Sequence, residues 1–118
     1  MLKFLYVGLG GALGAVLRYS FSFLPIASNK TIFINIIGAI VIGFVSFFSK
    51  NIKVLDQRLF LFLTTGLCGG FTTFSTFSLE TVQLIEKNEY FLALLYSLGT
   101  VSLSLVGIYI GYYLAKLF

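Results

Sequence analysis

Apolar positions run almost without interruption in four blocks, and polar positions fall either between the blocks or at regular steps inside them. A helix needs about 20 predominantly apolar residues to cross a bilayer. The blocks from roughly Leu2 to Leu24, Thr31 to Phe48, Leu59 to Leu84 and Tyr90 to Leu117 approach or exceed that length. The pattern predicts an all-α membrane protein, with residues 1–118 forming a single four-helix transmembrane domain. The connectors, Pro25 to Lys30, Ser49 to Arg58 and Ile85 to Glu89, are too short to hold a soluble domain. An even number of spans places both termini on one side, and no internal repeat is visible of the kind that builds a two-fold transporter within one chain.

Inside the blocks, the polar and small positions define faces. In the first, Gly10 with Gly14, and Gly11 with Ala15, stand four residues apart, which lets another backbone approach closely. Arg18 is costly at membrane depth, at least about 2.5 kcal/mol on insertion scales. It either snorkels from the end of the span or lines or braces an anion path. In the second block, Thr31, Asn35, Ala39 and Gly43 share one face. Asn35 offers two N–H donors on a neutral side chain, suited to holding an anion without trapping it; the alternative is a hydrogen bond between helices. In the fourth, Tyr96, Thr100, Ser104, Gly107 and Gly111 form a similar row. It reads as contact or pore lining, and its hydroxyls can also bond the carbonyls of their own preceding turn.

The third block is built against helix continuity. Gly66-Leu-Cys-Gly-Gly-Phe-Thr-Thr-Phe-Ser-Thr-Phe77 combines adjacent glycines with adjacent threonines, and both residue types weaken a helix. A break is predicted near Gly69 to Thr73. Backbone groups freed there must find partners inside protein or at a water-filled cavity, as they do at ion and substrate sites. Beyond the break Phe74 and Phe77 share a face, and their ring edges carry the positive end of an aromatic quadrupole, along which an anion could pass. Ser75 and Thr76 bring hydroxyls beside them. Glu80 is the only carboxylate inside the predicted spans; it faces a vestibule or marks where the helix nears water.

Composition excludes more than it adds. Hydrophobic residues make up 58% of the 118 and charged residues 10%, with mean hydropathy +1.02, values foreign to a soluble domain. Cys68 is the only cysteine and histidine is absent, so an intrachain disulfide is impossible and a soft-metal site is disfavoured. With no histidine and four acidic residues, the usual acid–base equipment of an enzyme is missing. The net charge of +4 belongs to Lys and Arg at block ends, where they anchor helices in the interface, so nucleic-acid binding is a poor reading. Lys3 and the apolar run after it resemble a signal peptide, but the run is long, glycine-studded and carries Arg18; it is expected to be a retained span.

Three motifs in order, Gly10-Gly-Ala-Leu-Gly-Ala-Val-Leu-Arg-Tyr19, Thr31 to Asn35 to Gly38, and Gly69-Gly-Phe-Thr-Thr-Phe-Ser-Thr-Phe77, resemble the Fluc/CrcB fluoride channel family over nearly the whole chain. The resemblance implies a passive fluoride exporter of the cell (plasma or inner) membrane, working as an antiparallel, dual-topology homodimer with two pores. It implies that Phe74 and Phe77 are the paired rings of the pore and Asn35 a donor in the fluoride path. Thr31, Ser75, Thr76 and Ser104 would line a polar track with Tyr96 beside it, and Arg18 would match an arginine near the vestibule. Carbonyls of Gly69 and Thr72 from both subunits would hold a structural sodium ion.

Charge placement pulls against dual topology. Lys3, Lys50, Lys53, Arg58 and Lys116 lie on the side of the termini, and Lys30 and Lys87, with Arg18 as an arguable third, on the other. That bias favours cytoplasmic termini, whereas an antiparallel homodimer needs both orientations; dual insertion is the expectation, with a partner chain as the alternative. Two rival functions are a small proton-coupled multidrug exporter, which would need a carboxylate in the first span where only Arg18 is charged, and a non-transporting assembly subunit.

Overall fold

The computed structural model describes residues 1–25 and 29–118, and every regular element among them is helical. Four stretches are long and apolar enough to cross a membrane: Leu2–Phe21, Lys30–Ile52, Gln57–Glu86 and Tyr90–Lys116, the first to fourth spans. The chain is a multi-pass membrane protein. The first helix ends at Phe21, short of the expected Leu24. There the N–H groups of Ser22, Phe23 and Leu24 each reach a carbonyl three residues back, a tightening that precedes Pro25, whose ring disfavours helical backbone in the residue before it. Of the connector Pro25 to Lys30, residues 26–28 lie outside the described residues. The second span continues past Phe48 through a π-helical turn, Phe48–Ile52.

The spans pack in two pairs, the second along the fourth and the first along the early part of the third. Glycine makes both contacts. A Cβ on Gly66 would sit 2.9 Å from the Gly10 Cα, and one on Gly111 would run into the Ile40 carbonyl and lie 2.6 Å from the Phe44 nitrogen. Lipid tails are as apolar as leucine, so helices gain nothing by hiding large side chains from lipid and associate through close backbone approach instead. The burial pattern follows from this. Ala39, Ala93 and Ala115 are buried, while Leu13, Val16, Leu98 and Leu105 face outward.

The third span is interrupted, but not at its glycines. Gly69 and Gly70 remain helical through Phe71. The backbone leaves the helix at Thr72, with φ −78° and ψ 159°, and resumes at Ser75 in the helix Ser75–Glu86. The glycines serve packing: a Cβ on Gly70 would strike the Gly11 backbone, 3.0 Å from its Cα. Tertiary contact here overrides the weak helix propensity of glycine. Ahead of the break, Phe62–Cys68 is π-helical, and the Gly69 N–H reaches back five residues to Thr64.

Candidate functional site

Three spans converge on the interruption. From the first, Arg18 Nε donates to the Gly70 carbonyl at 3.2 Å. From the second, the Asn35 amide pairs with the backbone of Thr73 in both directions: Nδ2 donates to the Thr73 carbonyl at 3.0 Å and Oδ1 accepts the Thr73 N–H at 2.9 Å. This pair of hydrogen bonds fixes which way the amide points and leaves Nδ2 one further N–H. From the third span itself, the Thr73 hydroxyl oxygen accepts the Thr76 N–H at 3.1 Å, as a helix N-cap does. Thr72 Oγ1 turns back to the Cys68 carbonyl at 2.8 Å. Arg18, half-buried, is thus bonded to the broken helix.

Beside the interruption lies a cavity of about 830 Å³ bordered by Asn35, Gly69, Thr72, Phe74, Phe77, Thr100 and Ser104 among others. Phe77 is buried, whereas Phe74 is 77% exposed. Their ring centroids are 5.7 Å apart with planes tilted by 56°. On its far side the Phe77 ring meets Tyr96, 5.4 Å between centroids. The Tyr96 hydroxyl donates to Glu80 Oε1 at 2.7 Å, and the side chains of Asn29 and Thr31 lie within polar reach of it. Thr100 is 4% exposed, and its hydroxyl has no hydrogen-bond partner among the described residues.

The residues singled out in sequence therefore fall into three places. Asn35, Phe74, Phe77, Ser104, Gly69 and Thr72 share the cavity wall. Tyr96 stands behind Phe77 and bonds the Glu80 carboxylate, with Thr31 near the Tyr96 hydroxyl. Arg18, Ser75 and Thr76 gather about the interrupted backbone, Ser75 Oγ lying 3.4 Å from Thr73 Oγ1. Such a wall offers neutral donors, aromatic edges and backbone oxygens. Among the described residues no three His, Cys, Asp or Glu side chains cluster; the backbone carbonyls at the interruption are hard oxygens, the ligand type that hard cations take.

A family model described as "CrcB-like protein, Camphor Resistance (CrcB)" matches residues 5–112. The chain belongs to the CrcB-like family. It is similar to proteins named "Fluoride-specific ion channel FluC" in several bacteria. The Helicobacter pylori (strain G27) protein is 41% identical, over 98% of this chain and 94% of the relative. That of Helicobacter acinonychis (strain Sheeba) is also 41% identical, over 99% and 98%. That of Clostridium novyi (strain NT) is 42% identical, over 94% and 91%.

Two residues of this CrcB-like chain were passed over as site residues in the sequence. In the sequence Thr73 counts only as a weak helix former, although a threonine three residues ahead of an N–H in the first turn of a restarting helix is a capping signal. Thr100 was visible on the fourth-span face, but a threonine at membrane depth usually bonds the carbonyl of its own preceding turn. Thr64 does so, to Phe60 at 2.8 Å. Thr100 does not, and only the folded chain distinguishes the two.

Proposed function

We propose that this chain is a fluoride-selective channel of the cell membrane that lets fluoride pass down its gradient without catalysis. The observation that carries the reading is the cavity wall. It sets around one space the second N–H of Asn35 and the hydroxyl of Thr100, neither with a partner among the described residues, and the Phe74–Phe77 ring pair. Fluoride is small and strongly hydrated, so a pore must replace its water with several short hydrogen bonds and avoid any single site too deep to leave. Neutral N–H and O–H donors in series with ring edges meet both demands. The names of the FluC relatives support the choice of anion.

The pore would be completed by a second copy. Gly69 and Phe74 border the cavity yet stand exposed on the single chain, so the wall is open where a partner would close it. An antiparallel homodimer relates two such walls by a two-fold axis and yields two pores. In that arrangement Thr31, Ser75, Thr76 and Ser104 would form a polar track beside Tyr96, with Arg18 near its entrance. The carbonyls of Gly69 and Thr72 would hold a structural sodium ion, two from each chain. The donor set fits: carbonyl oxygens are hard ligands, and both residues lie where the helix is interrupted.

Fluoride and chloride efflux from liposomes containing the purified protein tests the function. Fluoride release with negligible chloride release is expected, and no fluoride release defeats the channel reading. Labelling a C-terminal tag from each face of a membrane tests the assembly; labelling from one face only defeats the antiparallel homodimer.

A further inference from the structure

In a continuous helix each carbonyl accepts the N–H four residues on. Across the interruption that ledger can be followed group by group. The Cys68 carbonyl keeps its helical donor, Thr72 N–H, at 3.0 Å. The donor that belongs to Gly69 is the N–H of Thr73, and it goes instead to Asn35 Oδ1 at 2.9 Å. The donor that belongs to Thr72 is the N–H of Thr76, and it goes instead to Thr73 Oγ1 at 3.1 Å. The Gly70 and Thr73 carbonyls are supplied from other spans, by Arg18 and Asn35. Helical pairing resumes at Phe74, whose carbonyl accepts the Ser78 N–H at 2.9 Å. Of the carbonyls that this leaves without any donor among the described residues, those of Gly69 and Thr72 belong to residues bordering the cavity, while that of Phe71 does not.

We infer that Asn35 and Thr73 are positioning residues for the cation site: each captures the one N–H that would otherwise occupy a carbonyl needed by the ion. A carbonyl already accepting a strong N–H bond has less density to offer a cation, and its direction is fixed along the helix axis. Asn35 and Thr73 remove both obstacles by offering the N–H a better-placed oxygen. Arg18 marks the contrast, since it fills the carbonyl of Gly70, which lies between the two. Asn35 thereby acts on both sides of the interruption, with one N–H left toward the cavity and its Oδ1 committed to keeping Gly69 open. This inference rests on the sodium reading above and adds the cause of the site.

The test is the thermal unfolding midpoint of the full-length protein in detergent, titrated with sodium chloride against N-methyl-glucamine chloride. The unmodified protein is expected to gain a saturable rise in midpoint with sodium. Thr73→Val keeps the shape but loses the accepting oxygen, so Thr76 N–H can return to Thr72, and the half-saturating sodium concentration should rise about tenfold or more. Asn35→Leu should do the same through Gly69. Thr73→Ser, which restores the oxygen, should return half-saturation to within about threefold of the unmodified value, a rescue that a purely structural role for the side chain would not produce. Thr73→Ala replaces the valine variant should that fail to fold. Absence of any sodium response in the unmodified protein overturns the sodium reading itself. A normal response together with unshifted half-saturation in the Thr73 and Asn35 variants overturns only the inference drawn from it.

Discussion

The two parts of the third span meet their neighbours in opposite ways. Before the interruption, the helix touches the first span through bare backbone, Gly66 on Gly10 and Gly70 on Gly11. At the interruption, contact is made by polar side chains reaching the backbone from 38 and 52 residues away, Asn35 and Arg18. An intact helix satisfies its own N–H and C=O groups, so it asks of a neighbour only room to approach. A broken one must import partners or leave groups free, and in a membrane each choice is consequential. Strength of assembly and chemistry of the site are therefore assigned to adjacent stretches of one span.

Substitutions on the two sides should fail differently. The largest effect expected is on conduction: Phe74→Ile with Phe77→Ile removes both ring edges while roughly keeping apolar volume. Fluoride efflux should fall by on the order of 100-fold with the oligomer still eluting intact in size-exclusion chromatography; undiminished efflux would remove the rings from the path. Next, Asn35→Asp replaces an N–H donor with an acceptor facing the Thr73 carbonyl and the cavity. It should cut fluoride efflux by about tenfold or more, and full conduction would reduce Asn35 to packing. On the other side, Gly66→Ala puts a methyl group against the Gly10 Cα at 2.9 Å. It should lower unfolding stability in detergent by about 1–3 kcal/mol while leaving the fluoride-to-chloride ratio unchanged; a changed ratio would show that the two sides are not separable. The smallest effect is expected from Arg18→Lys, which loses the directed Nε bond to Gly70 but keeps the charge. A stability loss of about 0.5–1.5 kcal/mol should be seen in the same unfolding measurement. A loss larger than that of Gly66→Ala would mean that the braces at the interruption, and not the glycine contact, hold the span in place.

Much of this was legible in the sequence because it depends on local quantities. Block length and apolarity give the spans, and four-residue spacing puts Thr31 with Asn35 and Gly10 with Gly14 on shared faces. Weak helix formers announce an interruption between Gly66 and Phe77. The site was legible less evenly. Gly69 and Gly70 have low helix propensity, which drew the expected break toward them, but their lack of a side chain is spent on contact with the first span. The break falls to Thr72 and Thr73, where side-chain oxygens can take up the backbone bonds that a break disturbs.

The sequence by itself determined that this chain lives in a membrane, crosses it with four helices and breaks the third of them. Periodicity and transfer energy depend only on residues near one another in the chain. Only the tertiary structure decided which backbone group each polar side chain answers: that Arg18 fills the Gly70 carbonyl, that Asn35 takes both sides of Thr73, and that Thr100 has no hydrogen-bond partner among the described residues. Hydrogen-bond satisfaction is settled across the whole fold, between donors and acceptors whose separation along the chain says nothing about their distance in space.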